Sequence, residues 1–249
     1  MIEIKNEAEI ALIGEASRIV RDVLQGIKEA ARPGIATKEL DKKAEQMIKV
    51  ANARSAFKGY RGFPGNICTS INEQVVHGIP GNRKLVSGDI LSVDVGVEKN
   101  GFFGDAAITI EIGDSVPETA KKLIRITEES LRAGTEKAVK GNRLFDISYA
   151  VQKYVEDSGY SVVRDFVGHG IGKKMHEDPE IPNFGKPDTG PRLKKGMVLA
   201  IEPMVNEGKC EIEILADKWT AVTRDKKLSA HFEHTVAVTD SGPMVLTGV

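Results

Sequence analysis

Two stretches of the sequence repeat one another in content and in order, and this repetition limits the folds open to the chain. In each half, two helical patterns precede a His-Gly-Ile sequence, and an apolar strand ending in a carboxylate follows it. The first strand runs from Gly88 to Asp94 and the second from Gly196 to Glu202, each acid standing six residues after its glycine. A shared order of this kind predicts an internal duplication. A duplicated helix-plus-sheet unit would bring its equivalent acids together across a pseudo-two-fold axis.

The length of the chain suits one large domain. Its 249 residues are enough to bury a core without support from disulfides or a structural metal. No linker, low-complexity segment or block of like charge separates the two halves. We therefore expect a single domain over 1–249, built from halves of approximately 1–114 and 115–249.

Local patterns predict a mixed α/β structure. A helix over 6–31 has apolar residues at spacings of three and four, begins with a cap at Asn6 and Glu9, and ends at Pro33-Gly34. A capping pattern at 115–118 with Pro117 at the first helical position predicts a second-half helix to about residue 139. The other expected elements are helices from Thr37 and over 144–158, a glycine-rich loop at 168–172, and strands at 89–97, 102–112, 197–205, 211–215, 219–223 and 232–238, the first two joined by a turn at 99–101.

Charge and cysteine content exclude several functional classes. The 35 lysines and arginines nearly balance the 36 acids, whereas binding to nucleic acid or an anionic membrane normally requires a basic excess. The two cysteines, Cys68 and Cys210, form no disulfide framework and favour a reducing compartment. The N-terminal segment has acids where a signal peptide is basic and then apolar, and no apolar run reaches the roughly 18 residues of a membrane span. We expect a cytoplasmic protein with no membrane or sequence-specific nucleic-acid partner.

Four acids interrupt apolar segments: Asp94, Asp105, Glu202 and Glu233. An ionised carboxylate in an apolar strand has to be paired, neutralised or bound to a metal. Each acid alone is also compatible with a basic partner or with the solvent-facing side of a strand. Four such acids, two of them at equivalent positions of a repeat, favour a common functional site.

The histidines lie in or beside these same segments: His77, His169, His176, His231 and His234. His169 is flanked by glycines, which let a backbone approach a ligand closely, whereas His234 is expected to be an ordinary structural histidine. Two divalent cations would balance the four carboxylates, and a neutral imidazole would complete the ligand set. Such ligands suit Mn, Fe(II), Co or Zn, and a metal pair about 3.5–4 Å apart activates water for hydrolysis without an organic cofactor.

Together these motifs resemble the methionine aminopeptidases, in their short bacterial type I form, over essentially the whole chain. The resemblance rests on 72–80 (NEQVVHGIP), Asp94 with Asp105 eleven residues later, 168–172 (GHGIG), Glu202-Pro203 and 232–235 (FEHT). It implies a duplicated α/β pita-bread fold, with helices outside a curved antiparallel sheet and a dinuclear metal centre inside. It also implies removal of the initiator methionine from nascent proteins whose second residue is small.

The resemblance further implies a role for each site residue. Asp105 and Glu233 would bridge two divalent ions, and Asp94 would chelate one of them. His169 and Glu202 would bind the other ion, and Glu202 would also take a proton from the attacking water. Two histidines, His77 and His176, would contact the scissile peptide and the developing tetrahedral centre, where N–H donors lower the barrier.

A pocket for the substrate side chain is implied as well. Its lining positions here are Phe57, Tyr60, Phe63, Cys68, Met175 and Trp219. For the two phenylalanines and the tryptophan taken singly, an ordinary core position is an equal alternative. The implied partners are the N-termini of nascent polypeptides and, transiently, the ribosome, and the implied state is a monomer.

Three positions depart from the common family pattern. His231 stands where the family usually has glutamine, and Met175 where bacterial relatives often have phenylalanine. Gln74 replaces a small aliphatic residue near a site where some relatives bind a monovalent cation through positions matching Asn72 and Ser229. None of these changes removes a metal ligand, but His231 and Gln74 bear on metal preference and on the cation site.

Alternative functions remain open at the level of sequence. X-Pro aminopeptidases and prolidases share the fold and ligand set but usually carry a large preceding domain. Type II methionine aminopeptidases insert a helical segment of some sixty residues, which the 31-residue interval from Glu202 to Glu233 cannot hold. A metal-free binding protein of the same fold is the third alternative, although such proteins typically lack some of the five ligands.

Overall fold

The computed structural model describes residues 1–248, and Val249, the last residue of the expected domain, lies outside that range. It contains four helices, α1 (Glu7–Ala30), α2 (Thr37–Val50), α3 (Glu118–Thr135) and α4 (Leu144–Asp157), and a single 3-10 turn at Tyr60–Gly62. The strands of this described part are β1 (Arg54–Ser55), β2 (Cys68–Ile71), β3 (Gln74–Val76), β4 (Ile90–Lys99), β5 (Phe102–Glu111), β6 (Ser161–Val162), β7 (Val167–Gly170), β8 (Glu177–Pro182), β9 (Val198–Ile201), β10 (Met204–Asn206), β11 (Ile212–Ile214), β12 (Ala221–Thr223), β13 (Ser229–His231), β14 (Glu233–Thr239) and β15 (Gly242–Val245).

A nine-stranded antiparallel sheet forms the centre of the molecule. Its order is β1-β4-β5-β14-β9-β7-β8, with β2 paired to β4 and β15 paired to β14. Two three-stranded sheets, β13-β10-β6 and β11-β12-β3, complete the curved half-barrel. The fold is therefore the mixed α/β pita-bread fold that the sequence resemblance implied.

The register of the central strands places the predicted acids on one face. Asp94 on β4 and Glu233 on β14 both lie directly opposite Ala107 on β5. Asp105 stands two residues before Ala107 on the same strand. Because opposed residues share a face and alternate residues of a strand return to it, the three acids project to the same side of the sheet.

The helices cover the other side of the sheet as two pairs. The apolar faces of α1 and α2 pack on β4 and β5 in a cluster built around Val20, Leu40 and Leu91. The faces of α3 and α4 form a second cluster with β9 and β14, built around Leu123 and Leu199. Each helix pair thus packs mainly on strands of its own part of the chain. No helix among the described residues has the length and apolar content to cross a bilayer.

Several local predictions are confirmed in detail. Asn6 and Glu9 form a reciprocal capping box at the start of α1, with the two backbone-to-side-chain bonds at 2.9 and 3.1 Å. The turn between β4 and β5 has positive φ at Asn100 and Gly101, which is the backbone twist that a two-residue hairpin requires. This tight hairpin fixes the register on which the placement of Asp94 depends.

Three local predictions are wrong. Helix α3 begins one residue later than expected, with Pro117 as the N-cap, and it ends at Thr135 rather than near 139. The predicted capping box is absent there because the backbone N–H of Ser115 donates instead to Ser87 Oγ. The predicted loop at 168–172 is largely strand β7, and the predicted strand at 197–205 is two strands, β9 and β10, interrupted at 202–203.

Candidate metal centre and substrate pocket

Five predicted ligand residues converge from four strands and one strand end. Asp94, Asp105 and Glu233 come from β4, β5 and β14, and His169 comes from β7. His169 reaches the same face because it lies opposite Ala200 of β9, the strand next to β14. Glu202 follows β9 directly at the point where the strand breaks before Pro203.

Glycines around His169 make this convergence possible. A Cβ added at Gly168 would lie 2.4 Å from the carbonyl oxygen of Ala200, and one at Gly170 would lie 2.1 Å from that of Asp178. Both contacts are impossible for a side chain, so the two glycines let β7 approach its neighbours on both sides. The sequence pattern had suggested close approach to a ligand, and the structure shows close approach to adjacent strands.

The ligand atoms lie at distances suited to a shared cation. Donor atoms of Asp105, His169 and Glu233 all lie within 4.8 Å of one another. His169 Nε2 is 3.8 Å from Asp105 Oδ2 and 3.6 Å from Glu202 Oε1. His169 Nδ1 lies 2.9 Å from the carbonyl oxygen of Gly170, which orients the ring with Nε2 toward the acids. Such a backbone partner is common for a metal-binding histidine.

Several acid oxygens in this cluster are buried without a partner. Within residues 1–248, Asp94 Oδ1, Asp105 Oδ1 and Glu233 Oε1 receive no hydrogen bond. Asp105 and Glu233 are almost fully buried, with 3% and 2% of their surface exposed. A buried carboxylate oxygen without a donor is costly, and a cation is the usual compensation. The donor set therefore fits a divalent metal ion.

Burial and mutual repulsion raise the pKa values of the acids. Burial raises the pKa of Asp94 to about 7. For Asp105, burial and then the charges of Asp94 and Glu202 raise the pKa well above its usual range. The pKa of Glu202 is raised by burial and by Asp94, and that of Glu233 by burial and by the other acids. Bound cations would reverse this preference for the protonated forms.

Burial has the opposite effect on the histidines and keeps them neutral. It lowers the pKa of His169 to about 3 and that of His77 to about 4, with a smaller contribution from the nearby His176. The pKa of His176 is lowered by burial and by the Arg61 guanidinium. Neutral imidazoles can act as metal ligands or as N–H donors, so both predicted roles are chemically available at neutral pH.

One cavity of about 770 Å³ joins the acid cluster to an apolar pocket. All the residues that the sequence assigned to the site line it: Phe57, Tyr60, Phe63, Cys68, His77, Asp94, Asp105, His169, Met175, His176, Glu202, Trp219 and Glu233. Cavities of this size accommodate small ligands, with apolar walls for binding and a few polar groups for orientation.

The apolar end of the cavity is a compact cluster of aromatic and sulfur-containing side chains. Phe57, Phe63, Cys68 and Met175 are buried together, and Trp219 packs against them. The ring of Phe63 meets that of Trp219 edge-on, with centroids 5.1 Å apart. These residues therefore belong to a buried cluster and also form the wall of the pocket. The sequence had left a core position and a pocket position as alternatives, and the structure shows both.

Tyr60 and Trp219 of the pocket each pack against a histidine ring. Tyr60 stacks on His176 with centroids 5.3 Å apart, while His176 lies 4.3 Å from the His169 ring. His77 meets Phe166 edge-on, with ring centroids 5.2 Å apart. His77 also has a positive φ of 59°, a strained conformation for a non-glycine residue that is typical of functional sites.

Two residues of the site were not identified from the sequence. Gly96 lies on β4, and a Cβ there would be 2.6 Å from the Phe57 ring and 2.8 Å from Met175 Cε, so the missing side chain makes room for the pocket walls. A glycine inside a strand is a known sign of close approach and was an available signal. Arg61 lines the cavity beside the Tyr60 ring. Nothing in the sequence around this exposed arginine indicated its position.

The positions of His231 and Gln74, which depart from the family pattern, and of the expected structural histidine His234 are as follows. His231 is buried beside the acids, with Nε2 3.9 Å from Glu202 Oε2, and burial lowers its pKa to about 3. His234 faces away from the cluster, and its Nδ1 lies 2.9 Å from Thr247 Oγ1, in accordance with a structural role. Gln74 accepts a hydrogen bond from the backbone of Ile71.

The fold and the acid cluster define a metallopeptidase. The chain belongs to metallopeptidase family M24, whose profile matches residues 11–240. Within that family it falls among the bacterial methionine aminopeptidases. It is 56% identical over 248 residues to the methionine aminopeptidase of Clostridium acetobutylicum, with 99% of both chains covered. It is 53% identical to methionine aminopeptidase 1 of Bacillus subtilis over the full length of both.

Solved structures give the same result. The crystal structure of the methionine aminopeptidase from Thermotoga maritima superposes with a TM-score of 0.98, at 43% identity, with both chains fully covered. The prolidase of Pyrococcus horikoshii shares the fold, with a TM-score of 0.79 at 23% identity. This chain covers 63% of that prolidase chain, and the similarity extends to the fold alone.

Proposed function

We propose that the protein removes the N-terminal methionine from polypeptides whose second residue is small, by hydrolysis assisted by two divalent metal ions. The observation that carries this proposal is the single cavity in which a carboxylate–imidazole cluster adjoins an apolar pocket. A dinuclear cluster alone would support many hydrolases. The adjoining pocket of aromatic and sulfur-containing side chains favours an unbranched, flexible side chain such as methionine. The preference for a small second residue rests on family resemblance.

The five converging residues would hold the metal ions. Asp105 and Glu233 are the proposed bridging ligands, since they project from adjacent strands toward each other and toward His169. Asp94 would chelate one ion, and His169 with Glu202 would bind the other. Mn, Fe(II), Co and Zn all suit this set. When bound, a metal pair would supply Lewis-acid chemistry and lower the pKa of the attacking water.

The surrounding side chains would perform the proton transfers and orient the substrate. Glu202, 14% exposed at its side chain, has the position and access to take a proton from water. His77 and His176 line the same cavity as neutral imidazoles and would donate N–H bonds to the scissile carbonyl as charge develops. Tyr60 would orient His176 through the ring stack. Burial of the site excludes bulk water and strengthens these interactions.

The wider setting of the reaction follows from the same resemblance. We propose a single catalytic domain over 1–249 that acts as a monomer in the cytoplasm and meets nascent chains transiently at the ribosome. Cys68 and Cys210 form no disulfide, which agrees with a reducing compartment. The Fe(II) form would require protection from oxidation, so its activity is best assayed anaerobically.

A peptide panel tests the proposed activity. Metal-loaded protein is incubated with Met-Ala, Met-Leu, Leu-Ala and Ala-Pro peptides, with Mn, Fe(II), Co or Zn supplied, and the products are identified by mass spectrometry. We expect cleavage of the Met-Ala peptide and slow or no cleavage of the other three. Preferential cleavage of the Ala-Pro peptide would assign an X-Pro peptidase instead. No cleavage with any metal would assign a binding function to the cavity.

A further inference from the structure

The junction between β5 and β14 holds the two proposed bridging acids. Regular pairing of these strands extends over only two residue pairs, of which Glu233 and Ala107 form one. On this register Asp105 lies opposite Thr235, and Thr109 lies opposite His231, so each threonine pair is two residues along the strands from the Glu233–Ala107 pair. In both pairs a threonine hydroxyl makes the hydrogen bonds that the backbone of the opposite strand makes in a regular sheet.

The two threonines make equivalent bonds. Thr235 Oγ1 donates to the carbonyl oxygen of Asp105 at 2.8 Å and accepts from the backbone N–H of Asp105 at 3.1 Å. Thr109 Oγ1 donates to the carbonyl oxygen of His231 at 2.8 Å and accepts from its backbone N–H at 3.0 Å. The four bonds therefore have an approximate two-fold symmetry. They allow the strands to lie further apart than a direct backbone ladder would.

The backbone of Thr235 does not hydrogen-bond to Asp105, because its N–H and carbonyl groups both have other partners. Its N–H donates to Thr247 Oγ1 at 3.1 Å, and its carbonyl oxygen accepts from the N–H of Leu246 at 2.9 Å. The side chain of Thr235 is completely buried, so no solvent replaces a lost hydroxyl. Both backbone groups of Asp105 on this side depend on that one hydroxyl.

We infer that Thr235 is a positioning residue for metal binding, because its hydroxyl fixes the main chain of Asp105 and hence the separation of the Asp105 and Glu233 carboxylates. The inference rests on the proposed metal centre and extends it to a residue that touches no metal. Thr109 provides a matched control, since the same two bonds there hold His231, which is not a proposed ligand. Loss of a side chain that orients a metal ligand typically weakens metal binding by about 10- to 100-fold.

The test compares three variants by titration of chelator-treated protein with Mn(II) in a calorimeter. Thr235→Val keeps the shape and removes the hydroxyl, Thr235→Ser restores the hydroxyl, and Thr109→Val makes the same change at the control position. We expect Thr235→Val to bind Mn(II) about 10-fold or more weakly. Both Thr235→Ser and Thr109→Val should bind within about 3-fold of the wild type. Circular dichroism confirms that each variant is folded.

A spectroscopic measurement gives a second readout that a purely structural role would not change. The electron paramagnetic resonance signal of an exchange-coupled Mn(II) pair depends on the separation of the ions, so we expect it to be altered in Thr235→Val and unaltered in Thr109→Val. If Thr235→Val does not fold, Thr235→Cys, with its weaker hydrogen-bonding thiol, takes its place.

The outcomes separate this inference from the proposed function. Equal Mn(II) affinity in wild type and folded Thr235→Val would overturn the inference, and so would equal losses in Thr235→Val and Thr109→Val. A wild type that binds two Mn(II) ions but cleaves no peptide would overturn the peptidase proposal and leave the inference standing. A wild type that binds no metal would overturn both.

Discussion

The stability of the metal-free protein should depend on pH through Asp94. Burial raises the pKa of this carboxyl from 3.8 to about 7 in the folded protein. Between these two values the folded state holds a proton that the unfolded state has lost. The contribution of Asp94 to the free energy of unfolding therefore falls as pH rises through this window, and the substitution Asp94→Asn, which cannot ionise, removes that contribution.

The expected magnitude follows from the shift. A change of about 3 pKa units corresponds to about 4 kcal/mol, accumulated at about 1.4 kcal/mol per pH unit. The buried histidines titrate in the opposite sense, because their lowered pKa values make the folded protein more stable as pH rises from about 4 to 6.5. They are present in both proteins, so their contribution cancels in the difference between wild type and Asp94→Asn.

Urea unfolding in the presence of a chelator at pH 5, 6, 7 and 8 measures this difference. We expect Asp94→Asn to gain about 2.7 kcal/mol of stability relative to wild type between pH 5 and 7, and no further gain above pH 7. Asp240→Asn is the control, since Asp240 is exposed and the Lys140 ammonium lowers its pKa, so this variant should show no such gain. A difference that stays flat between pH 5 and 7 would refute the argument that burial raises the pKa of Asp94.

Three further predictions concern catalysis, metal content and the loop that carries His176. His176→Ala should lower kcat on a Met-Ala peptide by roughly 10² or more with a smaller change in KM, and an unchanged kcat would remove this histidine from the mechanism. Glu233→Ala should lose one of two Mn(II) equivalents in calorimetry, and two tight equivalents would contradict its bridging role. Lys5→Met should destabilise the protein by about 3–5 kcal/mol in urea unfolding, because it leaves Glu177 buried without its cation. Lys173→Met, at an exposed pair, should cause a much smaller loss, and equal losses in the two variants would show that burial is not the cause.

The acid cluster could be predicted from the sequence because ionised carboxylates are unfavourable inside apolar strands. A single carboxylate within an apolar strand, such as Asp94, already indicates a functional residue. The alternation of side chains along a strand then predicts which face of the sheet it lies on. The tight turn at 99–101 fixed the register from local sequence alone. Family resemblance supplied the separate roles of His77 and His176, which their residue type did not distinguish.

Features that depend on partners distant in sequence were not predictable. The capping pattern before α3 failed because the backbone of Ser115 bonds to Ser87, a contact that no local pattern shows. The glycines around His169 read as a loop, since their purpose appears only when β7 lies between two other strands. Thr235 likewise looks like any strand threonine until the register with Asp105 is known.

The glycine at position 96 has a consequence for how selectivity of this pocket can evolve. The pocket walls, Phe57 and Met175, occupy space that a single added carbon on β4 would claim. Side chains of the wall can be exchanged for others of similar volume, so substrate preference can drift there in small steps. Position 96 offers no small step, because alanine is the least change available and it already collides. We therefore expect a change in preference for the substrate's N-terminal residue to arise by substitution of the wall residues, with position 96 left unchanged.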